Sequence, residues 1–272
     1  MSGDAVVTRF APSPTGPLHL GHVAAARAAW QAGDRVLLRL EDIDQGRCRA
    51  EFAAWIVEDL EWLGLVWDGP VRVQSRHLAE YGAALDRLEA DGLVYPCFCS
   101  RRDIAAADGA AHGVGPVYRG TCRALSTRER SARVAAGGAY ARRLNMAEAV
   151  RRTGRLRWHE VGEGWVEARP ELFGDVVLGR RDTPGSYHLC VTHDDALQGV
   201  TLVTRGVDLR EATGVHRVLQ ALLGWEAPAY AHHPLLVDAA GRRLSKRAGA
   251  MSVRTMREQG ATAAEVWRTL GP

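Results

Sequence analysis

The first sixty-odd residues constrain the fold more than any other stretch. Residues 6–10 read as a short buried strand. A turn rich in Pro and Gly, up to Pro17, leads into a helix over about residues 18–32, and Gly33-Asp34 stops it. Residues 36–40 form a second strand ending in Glu41-Asp42-Ile43-Asp44, followed by a helix over about residues 49–63 with apolar residues at helical spacing. Strand, helix, strand, helix in this order implies a parallel sheet with right-handed crossovers. A ligand is then expected at the carboxyl ends of the strands.

Further along, residues 76–91 read as an amphipathic helix and residues 93–95 as a strand. From Cys97 to about Pro170 the pattern changes to short, Gly-punctuated pieces with many arginines, which predicts an inserted subdomain. The alternation returns with strands at 175–179, 187–192 and 200–204 and a helix over about 209–223, and residues 235–237 precede a basic loop. Two short helices follow that loop and close the chain. The expected plan is a first half at 1–96, an insert at 97–170 and a second half at 171–272. With 46% hydrophobic and 25% charged residues the 272-residue chain has an ordinary globular composition. It carries no apolar run long enough for a bilayer and no signal-peptide pattern, so a cytoplasmic location is expected. A net charge of +3 permits an anionic partner without demanding one.

Three segments carry chemistry. His19 and His22 stand three apart at a helix start, on one face, beside unpaired backbone N–H groups and the positive end of the helix dipole, which suits a phosphate. By spacing alone the pair reads as a surface pair, but Gly16 and the prolines of the preceding turn shape a rigid loop that a ligand can approach closely. The second segment is Arg242-Arg243-Leu244-Ser245-Lys246-Arg247, whose Lys246 is the only lysine among 35 basic Lys and Arg residues. An ammonium on a flexible stem can follow a moving phosphate in a way that a rigid guanidinium fork cannot. The alternative reading of this loop is a solvated charge run. The third is Cys97, Cys99 and Cys122, which suggest a tetrahedral Zn²⁺ needing one more ligand, with His112 the choice of general zinc chemistry. Cys48 and Cys190 read as helix-face and core residues.

His19-Leu20-Gly21-His22 resembles the HIGH signature of class I aminoacyl-tRNA synthetases, and Arg243-Leu244-Ser245-Lys246-Arg247 is similar to their KMSKS loop. Arg9 to Gly16, Leu38 to Asp44, Asp59 to Gly64, Tyr95-Pro96-Cys97 and Thr204 to Leu209 look like the catalytic domain of the glutamyl-tRNA synthetases. The resemblance covers nearly the whole chain. It implies an α/β fold with a Rossmann-like parallel sheet and an inserted zinc-bearing α+β subdomain. It implies that ATP with Mg²⁺ is held by Gly16, His19, Gly21, His22, Ser245 and Lys246, of which His19, His22 and Lys246 would be catalytic. Arg9, Ala11, Ser13, Glu41, Tyr187 and Arg205 would bind L-glutamate. Asp42, Asp44, Asp194 and Asp195 are metal ligands or helix caps by residue type, mostly structural on this reading.

Cys97-x-Cys99 followed by Tyr118-x-x-x-Cys122 resembles the zinc motif of a short paralogue branch that attaches glutamate to queuosine in the anticodon of tRNA(Asp). There Tyr is the fourth ligand, which favours Tyr118 over His112 and implies one structural Zn²⁺ per chain. The early end after the lysine loop leads to an expectation of no anticodon-binding domain, tRNA(Asp) carrying queuosine as partner, no membrane association and a monomer. The alternatives are a truncated glutamyl-tRNA synthetase charging a tRNA 3′ end and a non-catalytic RNA-binding paralogue. One run departs from the family pattern: Ala212-Thr213-Gly214-Val215-His216 stands where a Ser-Thr-Pro-Arg-Gln-like run is usual. The departure is expected to leave the assigned site residues untouched.

Overall fold

The computed structural model describes residues 5–100, 102–103, 117–118, 120–236 and 251–271. In chain order its main elements begin β1 (Val7–Phe10), α1 (Leu20–Ala32), β2 (Arg35–Leu40), α2 (Ala50–Trp62), β3 (Arg72–Val73), α3 (Leu78–Ala90) and β4 (Val94–Cys97). They continue with α4 (Thr127–Ala135), β5 (Ala141–Leu144), α5 (Met146–Thr153), β6 (Arg157–Glu160), β7 (Gly164–Glu167) and β8 (Val177–Gly179). The last are α6 (Tyr187–Leu197), β9 (Leu202–Gly206), α7 (Thr213–Leu223), β10 (Ala229–His233), α8 (Val253–Glu258) and α9 (Ala263–Thr269).

β1, β2 and β3 pair in parallel in that order. β9 pairs in parallel with β10 from Leu202↔Ala229 to Gly206↔His233, and β10 meets β6 in parallel at Tyr230↔Glu160. The Thr201 N–H donates to the Val7 carbonyl at 2.9 Å, and the Val7 N–H donates to Thr201 Oγ1 at 2.9 Å, which ties β9 to β1. The strand ends at Phe10, Leu40, Gly206 and His233 thereby open on one side. β2 is buried along nearly its whole length, as a strand covered on both faces must be. On one face Val23, Ala26 and Ala29 of α1 pack with Val36, Leu38, Ile56 and Leu60, and Val253 and Val266 of the two C-terminal helices complete this core. A second core joins α3, α6 and α7 to the antiparallel sheet β4-β5-β8 through Tyr81, Leu85, Leu144, Leu178, Leu189 and Val218. The chain between Cys97 and Pro170 thus contributes β5 to this sheet and the β6–β7 hairpin to the sheet of β9 and β10.

The structure differs from the sequence reading at three places. Residues 187–192 are not a strand but the first turns of α6, with Ser186 at its N-cap. Leu189, Cys190, Val191, Thr192, Asp194 and Asp195 are all buried, and burial around most of the helix removes the polar face that would have marked the helical period. The strand at 229–233 was not expected, while Leu235 and Leu236 just after it form no element. Ala-Tyr-Ala-His-His has little strand propensity, and it becomes a strand because β9 and β6 flank it. The expected helix over 209–223 begins at Thr213, after a short 3₁₀ turn over Val207–Leu209.

Candidate functional site

A cavity of about 490 Å³ opens at the carboxyl ends of the parallel strands. It gathers Arg9, Ala11, Ser13, His19, Gly21, His22, Glu41, Tyr187 and Arg205 from segments that are far apart in sequence. Gly16 lies in the turn but does not line the cavity. Ser245, Lys246 and His112 lie outside the described residues.

The turn between β1 and α1 is pinned from outside: the Glu41 N–H donates to the Pro12 carbonyl at 3.1 Å and the Arg49 N–H to the Pro14 carbonyl at 3.0 Å. At its end His19 caps α1. His19 Nδ1 accepts from the Gly21 N–H at 3.1 Å, His22 Nδ1 accepts from the His19 N–H at 3.2 Å, and the rings stack at 3.8 Å. With both Nδ1 atoms acting as acceptors, each neutral ring carries its hydrogen on Nε2. Ser252 forms an antiparallel bridge with His19, and the Val253 N–H donates to the Leu18 carbonyl at 2.9 Å. Lys246 precedes this anchored serine by six positions.

Arg9 and Arg205 are held in opposite ways. Arg9 donates from Nε to Asp195 at 3.0 Å and from Nη1 to the Thr204 carbonyl at 3.0 Å. Asp195 also takes Arg39 Nη2 at 2.7 Å, and Arg39 lies 3.9 Å from Asp194. Asp194 in turn accepts from Arg72, Gln74 and Tyr81. Burial alone would raise the pKa of Asp195, but Arg9 and Arg39 outweigh it and hold the carboxyl below the usual range. Asp194 and Asp195 are therefore anchors of the arginines. Asp42 accepts from the N–H and hydroxyl of Ser75, and Asp44 pairs with Arg47, so these two also serve structure. Among the described residues only the cysteine cluster gathers three metal-ligand side chains.

Glu41 sits 3.5 Å from Arg39 Nε with little exposure. Burial pushes its carboxyl up to about 7, against the pull of Arg39 and Arg9. Burial likewise raises the Tyr187 phenol. Arg205 donates from Nη2 to Thr213 Oγ1 at 2.7 Å, and its Nη1 lies 3.2 Å from His216 Nδ1. Its Nε donates to His232 Nε2 at 3.1 Å. The run from Ala212 to His216 therefore does reach the site, against expectation: it supplies two of the three groups holding Arg205. Thr213, His216 and His232 escaped sequence reasoning. The departure of 212–216 from the family pattern was the one signal that pointed to the first two, and it did not extend to His232.

At the end of β4 the sulfurs of Cys97, Cys99 and Cys122 lie within 4.8 Å of one another. Tyr118 Oη lies 3.7 Å from Cys99 Sγ and accepts from the Cys122 N–H at 2.6 Å. The Phe98 N–H points at Cys122 Sγ at 3.4 Å. Burial raises Cys99 to about 11 and drives the Tyr118 phenol upward, while Cys122, despite its burial, is held below the usual thiol range by hydrogen bonds from Tyr118 and the Phe98 N–H. A divalent cation reverses that balance, and the donor set fits Zn²⁺.

The family model for the catalytic domain of class I tRNA synthetases (E and Q) matches residues 5–270, and the chain belongs to this family. Among curated relatives it is 49% identical to the Glutamyl-Q tRNA(Asp) synthetase of Rhodobacter capsulatus, over 98% of this chain and 100% of that one. It is 42% identical to the protein of the same name from Thiobacillus denitrificans, over 100% and 87% of the two chains. Among solved structures it is similar to the glutamate-tRNA synthetase of Elizabethkingia anophelis, with a TM-score of 0.76 and 27% identity over 95% of this chain and 54% of that one. A glutamate tRNA ligase from Elizabethkingia meningosepticum, solved in complex with its amino acid, superposes with a TM-score of 0.74 and 27% identity over 94% and 53%. The chain thus spans about half the length of these solved synthetases.

Proposed function

We propose that this chain activates L-glutamate with ATP and Mg²⁺ and transfers it to queuosine in the anticodon of tRNA(Asp). The observation that carries the reading is the convergence of Arg9, Glu41, Tyr187 and Arg205 in one cavity beside the His19 and His22 helix start. Its supporting context is a chain 49% identical, over nearly its full length, to a Glutamyl-Q tRNA(Asp) synthetase. Glutamate presents two carboxylates and one ammonium. Arg205 and Arg9 offer guanidinium donors to the carboxylates, Glu41 in its ionised form meets the ammonium, and Ser13 and Tyr187 add hydroxyls. The His19 and His22 side chains, which line the cavity, and the start of α1 suit the phosphates, with Lys246 following the triphosphate.

In this reading an oxygen of the α-carboxylate attacks the α-phosphorus of ATP, the bond to pyrophosphate breaks and glutamyl adenylate forms. A hydroxyl of the queuosine cyclopentenediol then attacks the carbonyl carbon and AMP leaves. The protein contributes positioning and stabilisation of developing charge, with no covalent intermediate on its side chains. Cys97, Cys99, Cys122 and Tyr118 would hold one structural Zn²⁺, which supplies a cross-link at the end of β4.

The test uses a short anticodon stem-loop lacking any acceptor end. Labelled glutamate should pass to the stem-loop carrying queuosine and not to its guanosine counterpart. Transfer to the 3′ end of an intact tRNA, and never to the queuosine stem-loop, would make the chain a charging enzyme instead.

A further inference from the structure

Arg205 is placed by side chains that carry no charge of their own. Among the described residues it forms no ion pair, whereas Arg9 is bound to Asp195. It is 7% exposed, and its three nitrogens each meet a neutral group: Thr213 Oγ1, His216 Nδ1 and His232 Nε2. A guanidinium has five N–H donors and nothing to accept with, so both imidazole nitrogens must present lone pairs to it. That fixes both tautomers. His216 carries its hydrogen on Nε2, which faces His188 Nδ1 at 3.2 Å. His232 carries its hydrogen on Nδ1, which donates to the buried Glu160 at 2.8 Å, and Glu160 is steadied by Trp158 Nε1 at 2.9 Å. Burial first and Arg205 second keep His188, His216 and His232 all below the ordinary imidazole pKa, in the neutral forms this network needs.

We infer that His216, with Thr213 and His232, is a positioning residue that aims the Arg205 guanidinium at the glutamate carboxylate without pairing it directly to a carboxylate of the protein. The inference rests on the reading of Arg205 as a substrate-binding group. Three of the five donors are engaged by the protein, which leaves two for a carboxylate. A carboxylate in place of His216 would hold the arginine as firmly but would neutralise it. Leucine there would leave one of its donors unpaired and the fork free to turn.

The experiment is glutamate-dependent ATP–pyrophosphate exchange with Arg205→Ala, His216→Leu and His216→Gln, reading the KM for glutamate and for ATP separately. Glutamine can accept from Arg205 with Oε1 and donate to His188 with Nε2. His216→Leu should raise the glutamate KM about tenfold, the size of one hydrogen bond to a charged group, with the ATP KM unchanged. His216→Gln should recover most of that loss. Long-range ¹H–¹⁵N spectra at neutral pH should show His216 as the Nε2–H tautomer and His232 as the Nδ1–H tautomer, with signals assigned by their loss in His216→Gln and His232→Gln. If Arg205→Ala leaves the glutamate KM unchanged, the substrate-binding reading fails and the inference falls with it. If Arg205→Ala raises it but His216→Leu does not, or if His216→Gln is as impaired as leucine, the positioning role alone is overturned. The opposite tautomers would overturn it as well.

Discussion

Two buried carboxyls answer to pH in ways that can be measured. Glu41, raised to about 7 by burial, gains its proton as pH falls through that value in the empty site. A neutral acid cannot pair with an ammonium, so kcat/KM for glutamate in the exchange reaction should fall by about tenfold per unit below pH 7. Glu41→Gln should be weak and flat across the same range, and a flat wild-type profile from pH 8 to 5.5 would remove Glu41 from ammonium binding. Asp59 of α2 is fully buried and neither of its oxygens has a hydrogen-bond partner. Burial raises it to about 6, against the pull of Arg254 and Arg257. A folded pKa above the unfolded one means that its contribution is fully present below about pH 4 and is lost as pH rises through 6. Asp59→Asn should therefore stabilise the protein by about 1–3 kcal/mol at pH 8 relative to its effect at pH 5, by urea unfolding. An equal effect at both values would show that the aspartate is already ionised at no cost.

Among the elements, β4 connects the zinc-fitted cluster to the body of the fold. Cys97 is its last residue, Tyr118 bridges to Gly174, and β4 pairs along its length with β5. Binding energy at a structural metal site is folding energy. Cys122→Ser should therefore lose zinc by elemental analysis and lower the unfolding midpoint by about 5 °C or more. Tyr118→Phe keeps the ring beneath Arg143, 4.1 Å from the guanidinium carbon, and removes only the oxygen. It should retain less than stoichiometric zinc after dialysis against a chelator. Full retention would take Tyr118 out of the ligand set.

Across the whole molecule, the parallel strands act as one platform. Among the described residues, those assigned to glutamate and the two histidines assigned to the phosphates stand at the carboxyl ends of these strands or on helix starts beside them, and Arg9 and Arg205 are held there by hydrogen bonds within the chain. The described part of that constellation is held by the chain's own residues. Glutamate-dependent pyrophosphate exchange should thus proceed at full rate without tRNA, and exchange that starts only on adding tRNA would show that RNA assembles the site.

The strand, turn and helix of residues 6–32, the acid after β2 and the thiol spacing were legible in the sequence, because local periodicity and motif spacing carry them. Arg205 was legible only through the resemblance of its flanking run. The sequence could not show that Arg9 and Arg39 share Asp195, since those partners stand 186 and 156 positions apart. Nor could it show that α6 is a helix, because burial on most sides erased the pattern that marks one. The sequence by itself determined which chemical groups were available and which local elements would present them. Only tertiary packing decided that an arginine paired with a carboxylate and an arginine held by neutral imidazoles would line the same cavity, because hydrogen bonds between distant strands and helices set each charge's partners.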